Sequence, residues 1–402
     1  MSIEQRQKDL VNIYAKLGVR TIINAKGPAT RLSGGPLRPD VSAAMVEASR
    51  QCVEIDALQA AASARIAAVT GAEAGYVASG AAACLLLAAA ACVAGLEPQR
   101  MARLPDTRGL KDEVIMVRSQ RNFYDHAIRS AGVRIVEVGL PDRYAGAGVR
   151  DAEAWEIAAA INENTAAVFY VADRRARPPL AEVVAVAHAA KVPVIVDAAA
   201  QLPPQSNLRH FIAEGADLVA FSGGKAIGGP QASGILCGRR DLIMSAALQH
   251  LDLDILWDHW TPPPGLIDKQ RLKGAPQHGI GRPCKAGREE IVGLLTALEL
   301  FVAEGDGARH ARWLADARVI AEGLGPGATI SGAADIAEVP VVIWNLPPPH
   351  SASELLKRLA AGTPSIHADP GHLDCNAVAF NPMCLLPGEA QVIVTSVREC
   401  LP

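Results

Sequence analysis

The chain reads as an α/β protein: a mostly parallel central sheet with helices on both faces, followed by a smaller α+β C-terminal domain. Three observations predict this. Short apolar runs alternate with helical patterns between residues 75 and 237, the signature of strands joined by crossover helices. Half of the 402 residues are apolar but only 4% are aromatic, so the core is built from Ala, Leu and Val, which let helices sit close on a sheet. After residue 245 the alternation stops, and a second set of strands and helices begins only near residue 327.

Taken in order, residues 1–20 carry a short helical pattern that Gly18 stops. VRTIINAKGPATRLSGGPL then gives a strand and a Gly/Pro-rich loop, Gly27–Pro36. A long helical pattern runs from Arg38 to Val69 and closes at Gly71. Strands are predicted over 75–78, 113–118, 133–138, 166–171, 193–197, 217–221 and 233–237. Helices are predicted over 81–94, 125–131, 151–162 and 179–190. Residues 245–285 are irregular and proline-rich, a connection expected to wrap over the site or a neighbouring subunit. A helix follows over 289–303, then strands near 327–330 and 338–344, a helix over 352–361 and a last strand-helix pair. The expected division is an N-terminal segment 1–45, a large ligand-binding domain 46–255, and a connection with a small domain over 256–402.

Composition narrows the function. A net charge of −3 lays down no basic footprint, so no nucleic-acid partner is expected. The eight cysteines form no CxxC pair and no Cys/His cluster at metal spacing, so reduced thiols, a cytoplasmic protein and no metal are expected. The N-terminus has no signal-peptide core. Ala74–Leu96 is free of charge and long enough for a membrane span, but it starts as a strand and turns at Ser79-Gly80. It lacks flanking basic or aromatic anchors, so a buried helix is expected and no membrane.

Ligands of such sheets bind at the carboxyl ends of the strands. Three stretches meet that condition. VASGAAACLLL puts Ser79, Gly80 and Ala81 between a strand and a helix, where small residues admit an anion to free N–H groups and the positive dipole end. KVPVIVDAAAQ ends a strand on Asp197, whose carboxylate is costly to bury without a partner. FSGGKAIGGPQASG holds Lys225 among Gly223, Gly224, Gly228 and Gly229, between apolar strands that bury the loop. A phosphate turn, a strand-end aspartate and a lysine in a glycine-rich loop are what a pyridoxal 5′-phosphate (PLP) site needs. The lysine forms a Schiff base and the carboxylate pairs with the ring nitrogen. Ala199 is small enough to lie under the ring, and Ser222 offers a hydroxyl to the phosphate.

Two further segments supply candidates. RSQRNFYDHAI offers Tyr124 and His126 to cover the cofactor's outer face. GIGRPCKAGREE offers Arg282 and Lys285 to bind a substrate carboxylate or other anion.

INAKGPAT, VTGAEAGYVASGAAA, VIVDAAAQ, FSGGKAIGGPQASGILCGRRDLI and GIGRPCKAGREEIVGLLTALE, in this order, resemble the selenocysteine synthase (SelA)-like group of fold-type-I PLP enzymes. Within it the chain most resembles the D-glucosaminate-6-phosphate ammonia-lyase type. The resemblance implies an aspartate aminotransferase-like fold and a homodimer or higher homo-oligomer with active sites at the subunit interface. It also implies a cofactor link at Lys225 and a ring partner at Asp197. Two departures from the tRNA-charging enzymes are the acidic net charge and the short segment before INAKG. In the C-terminal domain, GTPSIHADPGH has His367 where many fold-type-I enzymes place a carboxylate-binding arginine.

The expected activity is therefore that of a PLP-dependent ammonia-lyase acting on a β-hydroxy or β-substituted amino acid, giving a 2-keto acid and ammonia. Racemisation, epimerisation or aldol cleavage share the same early chemistry and stand as alternatives. Transfer of selenium to seryl-tRNA is a further alternative.

Overall fold

The computed structural model describes residues 13–140 and 151–401. Residues 1–12 of the expected N-terminal helix lie outside the described residues; Ile13–Lys16 is helical. The strands, in chain order, are β1 Ile22–Ala25, β2 Ala74–Ala78, β3 Glu113–Val117, β4 Arg134–Val138, β5 Thr165–Val171 and β6 Val194–Asp197. They continue with β7 Leu218–Ser222, β8 Gly234–Gly238, β9 Ala328–Ser331, β10 Val341–Asn345, β11 Ser365–Ala368 and β12 Ala377–Phe380. The chain divides into two compact units, Leu37–Ala303 and Met1–Pro36 with Glu304–Pro402.

The larger unit is built on a sheet ordered β2-β8-β7-β6-β5-β3-β4. Neighbours from β7 to β4 run parallel, and β8 runs antiparallel to both β2 and β7. Strand residues alternate between two cores. Tyr76, Phe169, Ile195, Ala220 and Leu236 face one, together with the Ala81–Ala94 and Arg240–His250 helices. Val77, Val168, Val196, Val219 and Ile235 face the other, with residues of the Ile55–Thr70, Leu180–Ala189 and Arg288–Leu324 helices. The alanine-rich helix Ala81–Ala94 is buried over most of its length, and its small side chains let it lie close to the sheet. No described helix is long and apolar enough to cross a membrane.

Several elements differ from the sequence expectation, each for a physical reason. The single helix expected over 38–69 is two helices, Pro39–Ala48 and Ile55–Thr70. The first stops where the Arg288 guanidinium takes the carbonyls of Ala48 and Ser49 at 2.9 and 3.0 Å, satisfying a helix end from a distant part of the chain. The irregular segment begins later than residue 245, because Arg240–His250 is a helix with Leu242 to His250 buried. Apolar residues lie nearly all round it, so it lacks the one-sided periodicity that marks a surface helix. The helix expected over 289–303 runs as Arg288–Leu324, passing a non-helical Gly305 at φ 71°.

The unit boundaries also differ from 45/46 and 255/256. Leu266, Ile267 and Leu272 of the connecting segment are buried in the larger unit's core, as are Leu294 and Leu298, so this stretch belongs there. Burial decides the boundary; composition suggested another.

In the smaller unit, β1 pairs in parallel with β11, which joins the N-terminal segment to the C-terminal part of the chain. β9, β10 and β12 form an antiparallel sheet. Ile23, Val342, Trp344, Leu355, Ile366, Phe380 and Ile393 make its core. The Ser351 hydroxyl caps the Ala352–Ala361 helix at the amide of Glu354, 3.4 Å away.

Candidate active site at one edge of the sheet

The register lines up the predicted site. Gly234 pairs with Ala78 on one side and Ser222 on the other, and Ala220 pairs with Asp197, itself paired with Val171. The carboxyl ends of β2, β7, β6 and β5 therefore share one edge with the amino end of β8. Alternation then chooses the face. Asp197 lies two residues beyond Ile195, and Ser222 two beyond Ala220, so both point to the side covered by the Ala81–Ala94 helix. Three strand spacings, roughly 14 Å, separate β2 from β6, enough for a molecule with a phosphate at one end and a ring at the other.

Ser79 and Gly80 form the turn into the Ala81–Ala94 helix. Gly80 has φ 132° and ψ 167°, a region essentially reserved for glycine. A Cβ built there meets no atom within 4 Å, so space is open above this residue. Gly234 is the opposite case: its Cβ would lie 2.3 Å from the Gly80 carbonyl carbon and 2.6 Å from the Ala81 nitrogen. Glycine at 234 lets the turn pack directly against β8. The first N–H groups of the Ala81–Ala94 helix, beside this opening, have no partner within the helix.

Asp197 is buried. One carboxylate oxygen accepts the Ala199 N–H at 3.0 Å; the other has no partner among the described residues. Burial pushes its carboxyl above the usual range, while the Ala199 amide and the Lys225 charge pull it back. Lys225 is half-buried, and its amine makes no hydrogen bond or ion pair among the described residues. Burial lowers its pKa, opposed by Asp197. A buried acid short of a cationic partner, a half-buried lysine amine with no partner among the described residues, and an open anion turn fit PLP.

Ala199 and Ser222 are both partly exposed at this edge, as a residue touching a ligand must be. Tyr124 and His126 follow β3, two strands from β6, and both side chains are exposed. The His126 Nδ1 lies 3.0 Å from Arg129. Arg282 is engaged within its own chain, donating to the His250 carbonyl at 2.9 Å and pairing with Asp252 at 3.3 Å. Lys285 is exposed and has no partner among the described residues. Both line a cleft of about 1260 Å³ together with Glu54, His250, Trp260 and Arg288. Lys225 and Asp197 are not part of its lining. His367, in the smaller unit, lies beside Ser365 at 3.4 Å, with its pKa lowered by burial and by the charges of Arg31 and Arg20.

Sequence reasoning missed Tyr76 and His250. The Tyr76 hydroxyl meets His250 Nδ1 at 2.9 Å inside the core. They lie 174 positions apart, so no local signal joins them.

A profile of the SelA family, described as L-seryl-tRNA selenium transferase, matches residues 56–256. The chain is 32% identical to 5'-C-glycyluridine monooxygenase-decarboxylase of a Streptomyces species, over 96% of this chain and 92% of that one. It is also 32% identical to D-glucosaminate-6-phosphate ammonia lyase of Salmonella typhimurium, over 96% of this chain and 97% of that one. A solved structure of D-glucosaminate-6-phosphate ammonia-lyase superposes with TM-score 0.78 at 30% identity, covering 97% of this chain and 98% of that one. By contrast, L-seryl-tRNA(Sec) selenium transferase of Rhizobium meliloti is 38% identical over only 28% of this chain and 26% of its own length.

Proposed function

The chain belongs to the SelA family and has the PLP fold-type-I architecture, and from that premise we propose that it is a PLP-dependent ammonia-lyase. Its substrate is a β-hydroxy or otherwise β-substituted amino acid; its products are a 2-keto acid and ammonia. The observation that supports this reading is the register that brings Asp197, Ser222 and Ala78, the residue before the Ser79–Gly80 turn, to one edge of the sheet, with Lys225 near enough for its charge to act on Asp197. The protein works as a homodimer or larger homo-oligomer in the cytoplasm, with active sites at the subunit interface.

When bound, the cofactor supplies an electron-accepting ring that makes the substrate's α-proton acidic. The chain's own residues do the rest. Gly80 and Ala81 offer amides to the phosphate, with the Ser79 and Ser222 hydroxyls beside them. The free oxygen of Asp197 accepts the ring N–H, which relieves the cost of burying an unpaired carboxylate. Ala199 leaves room beneath the ring, and Tyr124 or His126 covers its outer side. Lys225 would hold the cofactor, and its free Nζ would be the base that takes the substrate's α-proton. Lys285 holds the substrate's acidic group from the cleft, and Arg282 fixes the turn from which it projects. The β-hydroxyl leaves as water, and water taken up by the product releases ammonia. No oxidant is consumed.

A second reading is favoured by the equal similarity to a protein named a monooxygenase-decarboxylase. On that reading the same edge activates an amino acid for loss of its carboxyl group, with dioxygen as the oxidant. One experiment separates the two. Holoenzyme is offered a panel of hydroxy-amino acids, with and without a phosphate, while keto acid, ammonia and oxygen uptake are followed. Keto acid and ammonia without oxygen uptake support elimination. Oxygen uptake with carbon dioxide release supports the second reading. Silence across the panel, with cofactor bound, overturns elimination.

A further inference from the structure

We propose that His250 is a positioning residue for the anion-binding turn, acting through the carbonyl of Cys284. The inference rests on the reading above, that the Ser79–Gly80 turn holds a phosphate. The Cys284 carbonyl oxygen accepts two hydrogen bonds, from the Ser79 amide at 3.1 Å and from His250 Nε2 at 2.8 Å. A carbonyl has two lone pairs, and both are taken. His250 can donate here only with its proton on Nε2. Its Nδ1 is then an acceptor, and the Tyr76 hydroxyl fills it at 2.9 Å. Both side chains are buried, so each needs these partners.

The segment bearing Cys284 is pinned from the other side as well. The Gly281 amide donates to Gln249 at 2.9 Å, and Arg282 donates to the His250 carbonyl. A Cβ on Gly279 would lie 2.4 Å from the Gln249 Cα, and one on Gly281 would lie 2.8 Å from the Gln249 carbonyl oxygen, so the segment and the helix end are in close contact. The end of the Arg240–His250 helix therefore fixes Cys284, and Cys284 fixes Ser79.

The consequence concerns which amides meet the anion. The Ser79 N–H is committed to Cys284, which leaves the N–H groups from Gly80 onward for the ligand and sets their direction. His250 touches no ligand. It keeps the carbonyl that orients the turn from drifting.

The test compares PLP with pyridoxal, which lacks the phosphate, as ligands of the apo-protein. A residue that orients the phosphate turn changes the preference between them; a residue that only supports the fold lowers both affinities together. His250→Leu is expected to cut the preference for PLP over pyridoxal roughly five- to tenfold, the scale of one lost hydrogen bond in a buried setting. His250→Gln, whose amide N–H reaches about as far as Nε2, is expected to retain it. Should His250→Leu fail to fold, His250→Asn, whose amide is too short to reach, takes its place against His250→Gln. An unchanged preference in the Leu or Asn variant, or an equal loss for both ligands, overturns the proposal. Absence of any preference in the wild-type protein overturns the phosphate-turn reading itself, and this proposal with it.

Discussion

Asp197 and Lys225 shift each other's ionisation without forming an ion pair. Burial raises the pKa of the acid and lowers that of the amine, and the charge of each partly offsets the other's shift. A direct ion pair would satisfy both groups and leave neither free for chemistry. The gap keeps the amine reactive and the acid in need of a cation.

Lys225 gives the first prediction. Its lowered pKa leaves more neutral amine at a given pH, so adduct formation by the apo-protein should rise with pH to a midpoint below the usual lysine value of about 10.4. Lys225→Ala should abolish the borohydride-reducible absorbance near about 420 nm that marks a lysine-bound cofactor. Turnover should fall by roughly 10²–10⁴-fold, as for loss of a general base. A reducible band that survives in Lys225→Ala would reassign the cofactor's attachment.

Asp197 predicts a pH dependence of stability. A carboxyl whose folded-state pKa is raised contributes stability that is complete below its unfolded value, about 3.9, and lost as pH rises through the folded value. Apo Asp197→Asn should therefore melt at a higher temperature than the apo wild type at pH 7, with the difference closing towards pH 4. Added PLP should reverse the order at pH 7, because only the aspartate pairs with the ring nitrogen. Melting curves of both proteins, with and without PLP, test this. A more stable wild-type apo-protein at pH 7 would contradict it.

The glycines of the turn separate crowding from strain. Gly234→Ala forces a methyl into the Gly80 backbone and should cost about 1–3 kcal/mol. Gly80→Ala meets no neighbour, yet its φ of 132° should cost about 1–3 kcal/mol of backbone strain. Both should weaken PLP more than pyridoxal. Denaturant midpoints with ligand titrations check both halves.

Arg282 and Lys285, close in sequence, should respond differently. Arg282→Ala removes bonds to His250 and Asp252 and should lower stability by about 1–2 kcal/mol. Lys285→Ala should leave the melting temperature unchanged and raise KM for an anionic substrate with kcat held. Steady-state kinetics beside thermal melts would show the opposite pattern if the assignments were exchanged.

Much of this edge was legible in the chain itself. Asp197 at the end of VIVD, the Ser79-Gly80 break before an alanine-rich helix, and Lys225 among glycines are all local signals. Strand alternation and helix-breaking residues act over a few positions, so they can be read without coordinates. The break after Ala48 was not legible, because it is capped by Arg288, 240 positions away. Nor was the Arg240–His250 helix, whose burial on nearly all sides removes the periodicity that would announce it.

By itself the sequence determined the alternation of strands and helices and which residues carry reactive groups, since both depend on neighbours along the chain. Tertiary structure alone decided that Asp197 and Ser222 share a face, that Arg282 is committed to its own chain, and that His250 stands behind the anion turn. The physical reason is that register, burial and hydrogen-bond partners are settled between segments far apart in sequence, where satisfying one buried polar group depends on where another segment has come to lie.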